Sequence, residues 1–234
     1  MLKKKIRKYK LSASIICGHP LKLADDLALL EKGKIDQIHF DVMDGIFVPR
    51  YGLYPELIRS IKQFTKIPVD VHFMTEDPTK YLPTFIDAGS DKIAVHVESC
   101  THLHHTIKTI RDSGVKAGVV LNFDTSLTVL DYILEDLDFV ELMAINPGIV
   151  GHKIIPRIFS KIADLKEKIK KTGKKIDIEI DGGVTFESAA DMVKAGATVL
   201  VCGTSVIFNK EKPINTKIKE LRSVIDTLIK DYSK

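Results

Sequence analysis

Two histidines and two aspartates are the residues in this sequence best placed to do chemistry. His39 and Asp41 stand in Ile38-His39-Phe40-Asp41-Val42-Met43-Asp44-Gly45, His72 stands in Val69-Asp70-Val71-His72-Phe73-Met74, and Asp181 opens Asp181-Gly182-Gly183. Each lies at or near the end of a short apolar run of the kind that forms a β-strand. Residues two apart on a strand project to the same face, so His39 and Asp41 point together. Two imidazoles and two carboxylates meeting at one point would hold a divalent transition metal, zinc first, with iron, manganese or cobalt as alternatives. The same two carboxylates could also move protons. One such residue alone on a strand is more often structural. Four at matching strand ends favour the metal.

The elements that must position them alternate along the chain. Strands are expected at 11–16, 37–42, 69–73, 92–97, 116–121, 139–145, 177–180 and 198–202, all short, rich in Val and Ile, and mostly apolar throughout, as buried parallel strands are. Amphipathic stretches lie between them. Leu23, Leu27 and Leu30 repeat at helical spacing, as do Tyr81, Phe85 and Ala88, and Leu103, Ile107 and Ile110. Pro78 and Pro156 suit helix starts, and Gly89, Gly114, Gly173 and Gly196 follow helical runs where a left-handed cap is wanted. Eight βα units in 234 residues predict a single-domain (β/α)8 TIM barrel over 11–234, preceded by a basic arm at 1–10. An open doubly wound sheet is the alternative, but Ile15-Ile16-Cys17-Gly18-His19 is not its Gly-rich turn. In a barrel the active site lies at the carboxyl ends of the strands, where all four residues fall.

Composition narrows the function classes. A net charge of +4 suits an anionic small substrate and does not by itself imply nucleic acid. The basic arm, with Tyr9 as its one aromatic residue, reads as a solvated segment rather than a nucleic-acid anchor. Three widely spaced cysteines, Cys17, Cys100 and Cys202, without a paired metal motif, point to a reducing cytoplasm. No apolar run is long enough for a membrane helix, and a homo-oligomer without a membrane or nucleic-acid partner is expected.

Glycine-bearing turns follow the last three strands. They are Asn146-Pro147-Gly148-Ile149-Val150-Gly151, Asp181-Gly182-Gly183 and Cys202-Gly203-Thr204-Ser205. Barrels often bind phosphate through backbone N–H groups on this rim. One such loop alone would be a tight turn, whereas three in succession favour phosphate. Met43, Met74 and Met143 fall near the same strand ends, either as core filling or as an apolar lining for the pocket.

Taken together, His39-Phe40-Asp41-Val42-Met43-Asp44-Gly45, Phe47-Val48-Pro49, Asp70-Val71-His72-Phe73-Met74, Asn146-Pro147-Gly148 and Glu179-Ile180-Asp181-Gly182-Gly183 resemble the signatures of the ribulose-phosphate 3-epimerases, in order and spacing. The resemblance implies a metal-dependent barrel acting on ketose phosphates. His39, Asp41, His72 and Asp181 would be its metal ligands, and Asp41 and Asp181 its acid/base pair. Ser14 matches the serine that touches substrate. His72, Gly148, Ile149, Val150, Gly151, Asp181, Gly182, Gly183, Gly203 and Thr204 match the substrate and phosphate contacts. The chain departs from the pattern at Val150 and His152 in the sixth loop, at Arg50 after Phe47-Val48-Pro49, and at Cys17-Gly18-His19 after the first strand. Thr204 in place of serine is shared with the related allulose-6-phosphate 3-epimerases.

The expected reaction interconverts D-ribulose 5-phosphate and D-xylulose 5-phosphate through a metal-stabilised cis-enediolate, and no redox cofactor is needed. Allulose 6-phosphate epimerisation and aldose–ketose isomerisation are the nearest alternatives. A non-catalytic sugar-phosphate sensor is the rival from another class, and retention of both carboxylates counts against it. Phosphate barrels that decarboxylate use an Asp-x-Lys-x-x-Asp cluster, whereas Asp41-Val42-Met43-Asp44 has no lysine.

Overall fold

Eight parallel strands close into a barrel in chain order, β1 joining β8, in a computed structural model that describes residues 7–149 and 153–231. The strands are β1 Lys10–Ser14, β2 Gln37–Met43, β3 Val69–Met74, β4 Lys92–His96, β5 Lys116–Leu121, β6 Phe139–Met143, β7 Asp177–Asp181 and β8 Val199–Cys202. Their outward side chains, such as Ile38, Phe40, Val71, Phe73, Leu142, Ile178 and Leu200, belong to the main apolar core. Inward positions are largely polar, so the barrel has a dry outer core and a chemically rich interior.

The helices described are α1 Leu23–Gly33, α2 Pro55–Phe64, α3 Leu82–Asp87, α4 Leu103–Asp112, α5 Ile158–Thr172, α6 Ser188–Ala195 and α7 Ile214–Asp231. In α5, Ile158, Ile162, Leu165 and Ile169 form the buried stripe expected at this period. The α1 pattern has Leu27 and Leu30 buried and Leu23 packed at the edge. In the third unit Leu82, rather than the expected Tyr81, joins Phe85 in the core, and Tyr81 is exposed just before α3.

The fifth unit departs from the expected repeat. Between β5 and β6 the chain forms two short 3-10 turns, Leu127–Leu130 and Leu134–Asp136, instead of an α-helix. Leu127, Leu130 and Ile133 follow one another three apart, the spacing at which residues of such turns share a face, and Ser126 caps the first turn by accepting from the Thr128 N–H. The chain before β1 is partly tied down. Tyr9 is buried and its hydroxyl donates to Asp226 of α7 at 2.9 Å, while Lys10 is already the first residue of β1. Cys17, Cys100 and Cys202 are unpaired. No helix among the described residues is long and apolar enough to cross a membrane.

Candidate active site and metal centre

Parallel register does most of the assembly. Asp41 sits beside His72 and His39 beside Asp70 across β2 and β3, Ser14 of β1 lies beside His39, and Met143 of β6 lies beside Asp181 of β7. One ligand atom from each of His39, Asp41, His72 and Asp181 falls within 4.8 Å of the others. His39 Nε2 is 3.3 Å from Asp41 Oδ1, and His72 Nδ1 is 3.6 Å from that oxygen and 3.9 Å from Asp181 Oδ2. Both facing nitrogens are buried and lack a hydrogen-bond partner. Such burial is costly unless compensated, and a cation shared with the two carboxylates would compensate it. Donor types, number and spacing therefore fit a divalent metal.

The far side of each imidazole faces a second layer, which bonds His72 and leaves His39 Nδ1 without a hydrogen-bond partner. His39 Nδ1 is 3.5 Å from Asp70 Oδ2. His72 Nε2 lies 2.9 Å from His96 Nε2, and His96 Nδ1 lies 2.9 Å from Glu98 Oε2. The other Glu98 oxygen accepts from the Asn122 N–H and the Thr125 hydroxyl, and Lys161 Nζ donates to the Asn122, Phe123 and Thr125 carbonyls of that loop. Ligand histidines are commonly oriented through their second nitrogen in this way. Sequence reasoning passed over His96, Glu98 and Glu141. The spacing of His96-Val97-Glu98, which repeats that of His39-Phe40-Asp41, could have flagged the first two, and a lone acid within an apolar strand could have flagged the third.

Electrostatics separates the two site carboxylates. Burial would raise both, but the charge and close approach of His39, with His72 beside it, hold Asp41 far below the usual carboxylate range. For Asp181 burial prevails, helped by the charge of Asp41, and pushes it up to about 6. Burial disfavours the His39 imidazolium, yet Asp41 and Glu141 hold it well above the usual histidine value. Burial lowers His72, and lowers His96 to about 4. Unequal environments for two neighbouring carboxylates are a familiar feature of acid/base pairs.

Above these groups opens a cleft of about 490 Å³. Ser14, Asp41, Asp181, Met43, Met74, Met143, Gly148, Ile149, Gly182, Gly183, Gly203 and Thr204 all line it. His39 and His72 are fully buried and do not line the cleft. Val150 and Gly151, expected in the sixth loop, lie outside the described residues, as does His152. Ser14 Oγ donates to Asp41 Oδ2 at 2.8 Å and so sets that carboxylate's orientation. Gly182 and Gly183 have φ of 86° and 66°, and a Cβ on Gly182 would meet Ile145 Cγ1 at 2.3 Å. Only glycine fits that turn without strain, and it leaves a bare backbone at the cleft wall. Arg50 and Lys153 add positive charge to the same wall.

A sequence profile of the ribulose-phosphate 3 epimerase family matches residues 10–207. The chain is 42% identical over 214 residues to the ribulose-phosphate 3-epimerase of Bacillus subtilis (strain 168), spanning 91% of this chain and 98% of that one. It is 40% identical over 202 residues to the chloroplastic ribulose-5-phosphate-3-epimerase of Arabidopsis thaliana, spanning 86% and 72%. The chain belongs to the ribulose-phosphate 3-epimerase family. Solved structures extend the likeness in fold to other barrels. The 3-hexulose-6-phosphate synthase of Salmonella typhimurium superposes with a TM-score of 0.64 at 17% identity, over 94% of this chain and 99% of that one. Phosphoribosyl anthranilate isomerase from Thermus thermophilus gives 0.64 at 14% identity, over 94% and 99%. At such identities the likeness concerns the barrel alone.

Proposed function

We propose that this epimerase inverts C3 of a ketose phosphate, with D-ribulose 5-phosphate and D-xylulose 5-phosphate as its substrate pair, and that His39, Asp41, His72 and Asp181 hold a divalent transition metal. The observation that carries the reading is the convergence of these four side chains within 4.8 Å, with both aspartates reaching the cleft. A cation held there supplies Lewis-acid stabilisation for the negative charge that develops on the sugar oxygens.

The protein's own residues do the rest. The C3 proton is acidified by the neighbouring C2 carbonyl. One aspartate accepts it and leaves an enediolate, and the other donates a proton to the opposite face of C3. The centre is inverted with no net gain or loss of protons by sugar and enzyme together, and the two roles exchange in the reverse direction. Asp41, fixed by Ser14 and kept ionised by its surroundings, is the ready base. Asp181, which also lines the cleft, is its partner. Met43, Met74 and Met143 keep water from the intermediate, and the glycine-bearing loops at Gly148, Gly182, Gly183 and Gly203, with Ile149 and Thr204, receive the phosphate together with Arg50 and Lys153.

The test is proton NMR in deuterated water with the metal-loaded protein and D-ribulose 5-phosphate. Deuterium should enter at C3 as the xylulose epimer forms, and chelation should stop both. Metal-loaded protein that neither exchanges the C3 proton nor forms the epimer overturns the assignment. D-Allulose 6-phosphate, the longer substrate, should be at least ~10-fold poorer in kcat/KM, since one extra carbon in a shaped pocket is worth ~1–3 kcal/mol.

A further inference from the structure

We propose that Glu141 is a fifth protein donor to the ion held by His39, Asp41, His72 and Asp181, and that it shifts the preference of this site from zinc toward manganese or ferrous iron. The inference rests on the metal reading above and deepens it.

Glu141 stands mid-strand in β6, on the inward face it shares with Phe139 and Met143. Met143 pairs in register with Asp181 and Glu141 with Glu179, so Glu141 lies one inward position below the cleft. Its side chain is 0% exposed, and neither carboxylate oxygen has a hydrogen-bond partner. Its Oε1 is 3.1 Å from His72 Nδ1 and 3.9 Å from His39 Nε2. Those are the same two nitrogens that face Asp41 and Asp181. A third carboxylate therefore lies beside the two histidines of the candidate metal centre, next to but outside the set of four that converges within 4.8 Å.

The neighbouring buried acids share donors, with only Asp70 Oδ1 left bare. Lys92 Nζ is 2.7 Å from Glu179 Oε2 and 3.3 Å from Asp70 Oδ2, and Gln37 Nε2 donates to both residues. Glu141 receives none of these donors. A buried carboxyl group with both oxygens bare is costly; His39 Nε2 at 3.9 Å makes no hydrogen bond to it, and an ion between the two histidines would satisfy it. Two imidazoles with two carboxylates form the four-donor set that zinc favours. A third carboxylate makes oxygen donors the majority and exceeds that complement, which suits manganese or ferrous iron better.

The test uses the full chain, stripped of metal and dialysed against Mn²⁺ and Zn²⁺ singly and in competition, with bound metal counted and the Mn²⁺ electron paramagnetic resonance spectrum recorded. Glu141→Leu and Glu141→Gln should each weaken Mn²⁺ binding at least ~10-fold, the scale on which residues around a metal act, raise the preference for Zn²⁺, and change the Mn²⁺ spectrum. Should Glu141→Leu fail to fold by circular dichroism, the near-isosteric Glu141→Gln decides. Folded variants with unchanged Mn²⁺ affinity, preference and spectrum overturn the proposal and leave Glu141 as a neutral acid packed against His72. In that case loss of metal in His72→Ala still upholds the four-residue site. A wild-type protein that binds neither ion overturns both readings together.

Discussion

Two successive layers inside the barrel are built from the same kinds of residue and end in opposite electrostatic states. The lower layer holds Gln37, Asp70, Lys92 and Glu179, in which Lys92 bridges both acids, Gln37 donates to both, and the ammonium also sits 3.9 Å from the centre of the Phe139 ring. The upper layer holds His39, Asp41, His72, Glu141 and Asp181, with His96 behind, and its facing nitrogens and the Glu141 oxygens have no partner. Strands β2, β3 and β7 contribute to both, and β4 supplies Lys92 below and His96 behind. The lower layer carries an ammonium bonded to its acids, whereas the upper one sets three carboxyl groups against at most one imidazolium, His39, that bonds to none of them. That difference separates a structural polar core from a candidate reactive one better than burial or residue type does, because both layers are buried and acidic.

Breaking the lower layer should have the largest effect on the fold. Lys92→Met strands Asp70 and Glu179 without their cation, and removing one partner of a buried ion pair typically costs ~3–5 kcal/mol. Urea denaturation of the metal-free proteins would measure it. A loss below ~1 kcal/mol, the range of surface pairs, would mean that the lower layer is not held by Lys92.

Asp41→Asn and Asp181→Asn probe the upper layer and should leave the barrel standing. Each should reduce turnover ~100-fold or more, the usual scale for loss of a general acid or base. Metal content must be followed in parallel, because both residues also belong to the ligand set. Near-normal turnover with metal bound in either variant would remove that aspartate from the proton-transfer scheme.

The sharpest contrast between the layers is one of sign. In metal-free protein Glu141→Leu should raise stability, since an unsatisfied buried polar group costs ~1–3 kcal/mol. Lys92→Met changes stability in the other direction from a position only one layer away. If both substitutions destabilise the metal-free protein, the upper layer is already satisfied and the comparison fails.

This contrast was only half legible in the amino-acid sequence. The eight strands and the convergence of the four residues were readable because parallel strands are short apolar runs, and because His39-Phe40-Asp41 uses the two-residue period of a strand. Glu141 escaped because an apolar reading of 139–145 averages over the one charge that faces inward. The His72–His96–Glu98 chain depends on neighbouring strands β3 and β4, and no spacing along one segment reveals that approach. Helical periodicity likewise could not show that the fifth unit closes with two 3-10 turns, because leucines three and four apart serve either geometry.

The mildest perturbation lies at the rim below the lower layer, where Lys10 Nζ meets Asp177 Oδ2 at 2.6 Å with both side chains partly exposed. Burial would raise Asp177, but the hydrogen bond and charge of Lys10, with help from Thr198, bring its pKa below the ordinary value. A carboxylate whose folded pKa is depressed stabilises the fold above its unfolded pKa and loses that contribution as pH falls through the folded one. Lys10→Met should therefore cost at most ~1 kcal/mol at neutral pH, as exposed pairs do. The cost should shrink with added salt. It should also fade as the medium is acidified below about pH 4, the ordinary aspartate range. Denaturant titrations of both proteins at pH 7 and in acid give the comparison. A difference that grows on acidification would show that Asp177 is held by something other than Lys10, and would confine the self-supplied cation to Lys92 in the layer above.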